Sequence, residues 1–278
     1  MRYLILGSSG QIGNALCSYY EDKGHTVDRF DIVNGKHQDL RIHKSNHLYG
    51  KIEKSDFVFF LAFDVGGSRY LKKYEKTFDF IQNNMKIMIN TFECLELTKK
   101  PFIFASSQMS GMDFSSYGTL KRIGEYYTET LNGLLVKFWN VYGVEKDFNK
   151  SHVITDFIIK ARDKGIIDMI TDGSEIRQLL HTEDCCKCLD ILSKNYNSLD
   201  KEKNYHISSF EWSTILEVAK IVASNFNNVD IIPSKTKDTV QKDKRYEPDK
   251  HILNYWKPTT PLSDGIKNIV ESMSHARY

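Results

Sequence analysis

Arg2-Tyr-Leu-Ile-Leu-Gly7-Ser-Ser-Gly10-Gln-Ile-Gly13-Asn-Ala-Leu16 is the stretch that decides the fold. Tyr3 to Leu6 is a short apolar run and reads as a buried strand. Gly7, Gly10 and Gly13 follow at intervals of three. Gln11 to Tyr20 then reads as a helix with Ile12, Leu16 and Tyr19/Tyr20 on one face. Strand, glycine turn and helix in that order is the setting in which such glycines bind a dinucleotide. Gly7 permits the tight turn, Gly10 lets a pyrophosphate approach the backbone, and Gly13 lets the helix pack close to the strand. Gln11 and Ile12 open the helix whose free N–H groups face the anion. A glycine-rich turn with no ligand is the plainer alternative.

Outward from that turn the chain alternates strand and helix. Thr26 to Asp31 reads as a second strand ending in an acid. Asp31 lies 18 residues beyond Gly13, near the ~20 at which a carboxylate meets the adenosine ribose. Such a carboxylate accepts from ribose hydroxyls and repels a 2′-phosphate, which favours NAD over NADP; Arg29 and Lys36 nearby leave the second open. His37 to Leu40 reads as a third short strand, with Asp39 and Leu40 beside the adenine; an ordinary turn competes with that reading. Asp56 to Phe63 is apolar throughout, as strands inside parallel sheets are. Tyr74 to Thr98 carries Phe78, Ile81, Met85, Met88, Ile89, Phe92 and Leu95 at helical spacing. Phe102 to Ala105 is the next strand, Tyr117 to Leu131 a helix, and Leu134 to Phe138 a sixth strand. This alternation implies an α/β fold with a doubly wound parallel Rossmann sheet.

Past Gly143 the elements are shorter and mixed. Val153 to Arg162 reads as helix, Ile166 to Ile170 and Gln178 to His181 as extended, and Asp184 to Lys194 as helix. Trp212 to Ala223 reads as an amphipathic helix, Lys235 to Arg245 as a polar loop, and Ile266 to Met273 as a terminal helix. The expected organisation is a dinucleotide-binding domain over residues 1–145, completed by part of 176–200, and a smaller α/β substrate-binding lobe over 146–278.

Composition fits that plan. A chain of 278 residues, 41% hydrophobic, buries a real core, and a net charge of +2 calls for neither nucleic acid nor an acidic membrane. The longest apolar run, Phe57 to Phe63, is too short to span a bilayer, and the start lacks the pattern of a leader. Five cysteines at irregular spacing suit a reducing cytoplasm better than a disulfide framework. Cys185, Cys186 and Cys188 with His181 do not close a tetrahedron on one helix, so packing cysteines are expected and no metal. The basic run from Lys235 to Arg245 lacks interleaved aromatics and reads as a solvated loop rather than a nucleic-acid site.

The chemistry points to one stretch, Ser115-Ser-Tyr117-Gly-Thr-Leu-Lys121. Tyr117 and Lys121 stand at i and i+4 of a helix and share a face. Ser106 and Ser107 end the strand before it, at the carboxyl edge where ligands of such sheets bind. A free tyrosine titrates near ~10 and is a poor base at neutral pH. An ammonium and a cationic nicotinamide ring both favour the phenolate. Tyr117 is then the group that exchanges a proton with a carbinol as hydride moves, Lys121 tunes it, and Ser107 holds the oxygen. A surface Tyr–Lys pair is the plainer alternative.

With those residues in place, the chain resembles the extended short-chain dehydrogenase/reductase family, and within it the NAD-dependent nucleotide-sugar epimerase/dehydratase group, over nearly its whole length. Gly7 to Gly13 looks like the coenzyme turn of that family. Phe60-Leu61-Ala62 resembles the motif lining the coenzyme, and Asn84 sits where the family has its helix asparagine. Phe104 to Ser107 and Tyr117 to Lys121 resemble its serine strand and YxxxK pair. Trp139-Asn140-Val-Tyr-Gly143 looks like a substrate-phosphate motif. Asp172 to Arg177, His181 to Asp184 and Arg245 to Asp249 resemble motifs that carry sugar-nucleotide contacts, with Arg177 and Arg245 as clamps on the diphosphate or nucleoside.

Finer similarity points to enzymes of GDP-sugars. Leu61 to Gly67 followed by Asn84 to Asn90 is similar to GDP-mannose 3,5-epimerase and GDP-fucose synthase, and Ser151-His152-Val153 matches the stretch of the latter that contains its catalytic histidine. His152 stands between that role and a structural one. Those groups carry a cysteine after the serine pair, where this chain has Gln108, so a proton shuttle at C3 or C5 is not expected. The Asp-Glu pair of 4,6-dehydratases is replaced by Gln108-Met109. The resemblance thus implies a nucleotide-sugar enzyme acting by hydride transfer at C4, an epimerase or dehydrogenase on a GDP- or UDP-sugar. Gln108, Asn140, His152, Val153, Arg177 and Arg245 would meet the substrate. A 4-keto-sugar reductase using NAD(P)H and an idle sensor of a dinucleotide or nucleotide sugar are the other readings. The resemblance also implies a homodimer built on the Tyr74 and Tyr117 helices.

Overall fold

The computed structural model describes residues 1–241 and 246–275. Six strands form one parallel sheet: β1 (Arg2–Leu6), β2 (Thr26–Phe30), β3 (Phe57–Phe60), β4 (Phe102–Ser107) and β5 (Leu134–Phe138) are joined by Tyr205–Ile207 in the order β2-β1-β3-β4-β5-(205–207). The helices between them are α1 (Gln11–Asp22), α2 (Asn46–Lys54), α3 (Ser68–Tyr74), α4 (Phe78–Thr98) and α5 (Ser116–Thr130). After β6 (Asn140–Tyr142) come α6 (Val153–Lys164), β7 (Ile166–Asp168), β8 (Ile176–His181) and α7 (Thr182–Lys194). The chain then returns to the sheet as β9, the Tyr205–Ile207 strand, and continues through β10 (Trp212–Thr214), α8 (Ile215–Ala223), β11 (Asp230–Ile232) and α9 (Leu262–His275).

The doubly wound parallel sheet expected from the first stretch is therefore present, and side-chain alternation explains its two covered faces. Tyr3, Ile5, Phe57, Phe59, Ile103 and Val136 point to one side, against α1 and α7. Leu4, Leu6, Val58, Phe60, Phe104 and Leu135 point to the other, against α2, α4 and α5. Successive residues of a strand face opposite ways, so a run buried on both faces must be apolar throughout. Tyr3 stacks on Tyr20 of α1 with ring centroids 3.9 Å apart. Cys185, Cys186 and Cys188 of α7 pack in the same cluster, as the packing reading expected. A third apolar cluster, around Ile154, Ile158, Ile167, Val218 and Ile266, joins α6, β7, α8 and α9 beyond the sheet.

Three local expectations are corrected. His37 to Leu40 is not a strand: Lys36–Gln38 is a 3-10 turn, so Leu134–Phe138 is the fifth strand of the chain and not the sixth. Only Leu40 of that stretch is buried, and the Asp39 carboxylate bends back onto the Arg41 backbone and guanidinium, which leaves no alternating face to lay on a sheet. The helix expected from Tyr74 to Thr98 begins only at Phe78: Tyr74 ends α3, and after a break the Thr77 hydroxyl accepts from the Phe80 N–H and starts α4 afresh. The Trp212–Ala223 segment opens as β10, paired antiparallel with β8, before Thr214 and Glu217 form a capping box for α8.

Candidate active site

All six strands of the parallel sheet point the same way, and the loops at their carboxyl ends enclose one cavity of about 740 Å³. The β1–α1 turn forms its floor. Gly7 has φ +86, and a Cβ there would lie 2.7 Å from the Ala62 backbone. A Cβ on Gly13 would lie 2.1 Å from the Gly7 carbonyl oxygen. Only hydrogen fits at either place, so the turn and helix close into the cradle that the sequence pattern predicts. Gly10 caps α1 without a side-chain bond, which leaves first-turn N–H groups directed at the cavity. Asp31 directly follows β2 and faces the same space, its carboxylate accepting from the Ser9 N–H at 2.9 Å and the Val33 N–H at 3.1 Å. Arg29 is spent on Glu21 through two bonds of 2.9 and 2.7 Å, which takes one of the two nearby cations away from a 2′-phosphate. A glycine cradle, a helix start and a ribose-ready carboxylate fit a dinucleotide such as NAD.

Further in, β4 delivers Ser107 and α5 delivers Tyr117 and Lys121, all three on the cavity wall. The Ser107 hydroxyl accepts from the Met109 N–H at 3.2 Å. Lys121 is 3% exposed; its Nζ donates to the Ala105 carbonyl at 2.6 Å and lies 3.8 Å above the Phe63 ring. The Tyr117 ring meets Phe63 edge-on at 5.7 Å. The start of α5 is held by Glu75, which accepts from the Ser115 hydroxyl at 2.8 Å from the break between α3 and α4.

The electrostatics differ from the simplest expectation. Burial pushes the Tyr117 phenol up to about 12, with a Ser107 hydrogen bond opposing it. Burial pulls the Lys121 amine down to about 7, with the Glu125 carboxylate opposing that. Desolvation therefore outweighs the mutual help of the pair. One consequence is measurable. In the coenzyme-free protein 13C-lysine NMR should show one lysine titrating near pH 7, distinct from Lys201, which burial lowers to about 8; the signal near 7 should vanish in Lys121→Met, and a Lys121 signal titrating above pH 9 would contradict it. The stability linkage has a definite sign. The folded value lies below the unfolded 10.5, so the folded state binds fewer protons between about 7 and 10.5, and this amine's contribution to stability rises with pH across that window.

The structure brings most of the predicted residues to this one wall. Gln11, Ile12, Asp39, Leu40, Leu61 and Ala62 line the cavity, and so do Gln108, Asn140 and His152. Asn84 lies behind the wall, fully buried, bonding the Asp64 backbone N–H at 2.7 Å and its carbonyl at 3.1 Å. Val153 opens α6 and packs on the third apolar cluster. Arg177 is off the wall and paired to Asp238 at 2.5 Å. Arg245 lies outside the described residues.

Glu145, Asp64 and Gln241 line the wall as well, outside the residues expected there. Burial would raise the Glu145 carboxyl, but hydrogen bonds and charge from His152 hold it low; its oxygens accept from the His152 N–H at 2.9 Å and meet Nδ1 at 2.6 Å. Burial likewise acts to raise Asp64, and bonds from Tyr70 at 2.6 Å, Lys150 at 3.1 Å and Asn83 at 3.2 Å keep it ionised. Gln241 lies 3.0 Å from Gln108 across 133 residues of chain. Asp64 falls inside the quoted 61–67 motif and was within reach of its spacing; Glu145 and Gln241 depend on tertiary contacts.

The model of the NAD dependent epimerase/dehydratase family matches residues 3–208. A GDP-L-fucose synthase of Sinorhizobium fredii is 30% identical over 142 residues, 48% of this chain and 44% of that protein, so the match spans less than half of that relative's length. UDP-glucuronic acid decarboxylase 1 of Danio rerio is 21% identical over 310 aligned residues, 98% of this chain and 72% of that one. A solved GDP-6-OMe-4-keto-L-xylo-heptose reductase from C. jejuni superposes with a TM-score of 0.83 at 19% identity, covering 98% of this chain and 97% of that chain, a likeness of fold.

Proposed function

The chain belongs to the NAD dependent epimerase/dehydratase family, and from that premise we propose that it is an NAD-dependent nucleotide-sugar enzyme acting at C4 of a GDP- or UDP-sugar, as epimerase or dehydrogenase. The observation that carries the reading is the meeting of Ser107, Tyr117 and Lys121 on the same cavity wall as the glycine cradle and Asp31. A bound nicotinamide would accept hydride from the sugar carbon or return it. Ser107 holds the sugar oxygen by hydrogen bond, and Tyr117 exchanges the hydroxyl proton with it. Lys121 supplies positive charge behind the phenol. Asp31 favours the ribose diol over a 2′-phosphate and so NAD over NADP. Gln108, Asn140 and His152 face the sugar end; Arg245 is assigned to the diphosphate, and Arg177, off the wall and paired to Asp238, would join it only by leaving that pair. The five thiols are free and buried, which favours a reducing, cytoplasmic setting. Phe78 and Tyr126, 72% and 54% exposed on α4 and α5, favour a homodimer through those helices.

A second reading, reduction of a nucleotide 4-keto-sugar, is favoured by one observation. Burial pushes the Tyr117 phenol up to about 12, which favours the protonated form that gives a proton to a carbonyl oxygen as the carbon is reduced.

Incubation in D2O with UDP-, GDP-, dTDP- and CDP-sugars, with NAD or NADP, tests both. The expected result is inversion or oxidation at C4 with no deuterium on carbon, faster with NAD. Turnover with 4-keto-sugars and NADH alone selects the reductase. Deuterium at C3 or C5 overturns hydride chemistry at C4 and brings His152 forward as the acid/base.

A further inference from the structure

Gln241 reaches the cavity from the far end of the chain. It lies on a strap that leaves β11, and the strap is tied down along its length. The Asp172 N–H donates to the Thr236 carbonyl at 2.9 Å. The Asp238 carboxylate accepts from the Val240 N–H at 3.0 Å, the Gln241 N–H at 3.1 Å and the Arg177 guanidinium at 2.5 Å. Val240 is 7% exposed and packs in the apolar cluster that holds Met109, Met112 and Tyr117. These anchors bring the Gln241 side chain to the wall beside Gln108, the residue after Ser107, and the Gln108 Nε2 donates to the Gln241 Oε1 at 3.0 Å.

We propose that Gln241 is a specificity-determining residue: with Gln108 it forms a neutral carboxamide pair that binds sugar hydroxyls next to the reacting carbon. This rests on the nucleotide-sugar reading above. The chemistry of the pair fits that task. One N–H of Gln108 and one lone pair of Gln241 are used between the two amides. The pair still offers the Gln108 carbonyl, its second N–H and both N–H groups of Gln241. That set both donates and accepts without a net charge, which matches vicinal hydroxyls, each of them donor and acceptor. Its place next to Ser107 sets which hydroxyls it meets: those flanking the oxygen that Ser107 and Tyr117 hold. Asp238 is a positioning residue here, since one carboxylate fixes the Gln241 backbone and ties the strap to Arg177 of β8.

The test compares affinities of the wild type and Gln241→Ala for UDP-glucose, GDP-mannose, free UDP, free GDP and NADH by calorimetry. The loss of one neutral hydrogen bond predicts about tenfold weaker binding of the preferred sugar nucleotide. Free diphosphate and NADH should bind as before. Gln241→Glu keeps the shape while removing both donors, so it should show the same selective loss even where the alanine variant folds poorly. Gln108→Ala combined with Gln241→Ala should cost less than the two single losses multiplied, because each amide holds the other. Equal losses for UDP-glucose and UDP, or for GDP-mannose and GDP, would place Gln241 on the nucleotide and overturn the assignment. Unchanged affinity for the sugar nucleotides would overturn it as well, leaving the function standing. A wild type that binds NADH and none of the sugar nucleotides would overturn the function and this assignment together.

Discussion

Tyr117→Phe is expected to lower kcat/KM by about 10³-fold, within the range for removal of a positioned acid/base, while NADH binding and the unfolding midpoint stay close to wild type. The ring edge on Phe63 is retained in the variant, so what is lost is the hydroxyl alone. The size of the effect follows from what the phenol must do. Bringing it from about 12 to the neutral range takes ~7 kcal/mol of differential interaction, at ~1.36 kcal/mol for each unit. The Lys121 Nζ stands 5.9 Å from the Tyr117 ring centroid, and a unit charge at that range supplies ~3 kcal/mol at an effective dielectric of ~20. Lys121 alone therefore does not make a standing phenolate. The remainder falls to the cationic nicotinamide ring and to a proton that moves with the hydride, so removing the hydroxyl removes the group assigned to exchange that proton. Steady-state kinetics on the substrate found in the D2O experiment check this, with NADH fluorescence as the control. A loss below tenfold would show that Tyr117 is not the group that exchanges the proton.

How much of this was legible in the sequence depends on the range of the interaction. The β1–α1 turn was readable because its glycines are dictated by close backbone approaches within a few residues: Gly13 sits against the Gly7 carbonyl. The Tyr117–Lys121 pair was readable because i and i+4 share a helix face by geometry alone. The stretch from His37 to Leu40 misled, since propensity over four residues is weak against an Asp39 side chain that folds onto its own neighbours. The split between α3 and α4 was hidden by apolar residues that keep helical spacing across the break, although Thr77 carried the capping signal. Gln241, Glu145 and Glu75 were beyond reading because their partners are set by the fold and not by spacing. The direction of the Tyr117 and Lys121 shifts was missed for a related reason: burial is a tertiary quantity, and it outweighed the pairwise attraction that the spacing shows.

The charge behind Tyr117 and Lys121 yields the largest expected change in stability. Glu125 follows Lys121 by four residues and so lies on the same face of α5, only 3% exposed. It accepts from the Ser106 hydroxyl at 2.5 Å and pairs with Lys137 at 3.1 Å, where the Lys137 side chain is 12% exposed. Burial first, and the Lys137 charge second, push His206 down to about 4, and its Nδ1 accepts from the Trp139 indole at 3.3 Å. His206 therefore stays neutral near pH 7 and leaves Glu125 as the counter-charge to Lys137. Glu125→Ala strands that ammonium in a dry site and should cost ~3–5 kcal/mol, a fall of about 10 °C in the unfolding midpoint for a chain of this size. Glu125→Ala with Lys137→Met removes both charges and should recover a large part of the loss, since an apolar replacement of a buried pair is often neutral. Glu96→Ala, which breaks the exposed pair with Lys99, serves as the control and should cost under ~0.5 kcal/mol. The same carboxylate also opposes the desolvation of Lys121, so Glu125→Gln should move the lysine titration below pH 7. Thermal denaturation of the four variants and one NMR titration decide it: a Glu125→Ala midpoint matching that of Glu96→Ala would show that the buried pair does not hold the fold, and an unmoved lysine titration in Glu125→Gln that Glu125 does not act on Lys121.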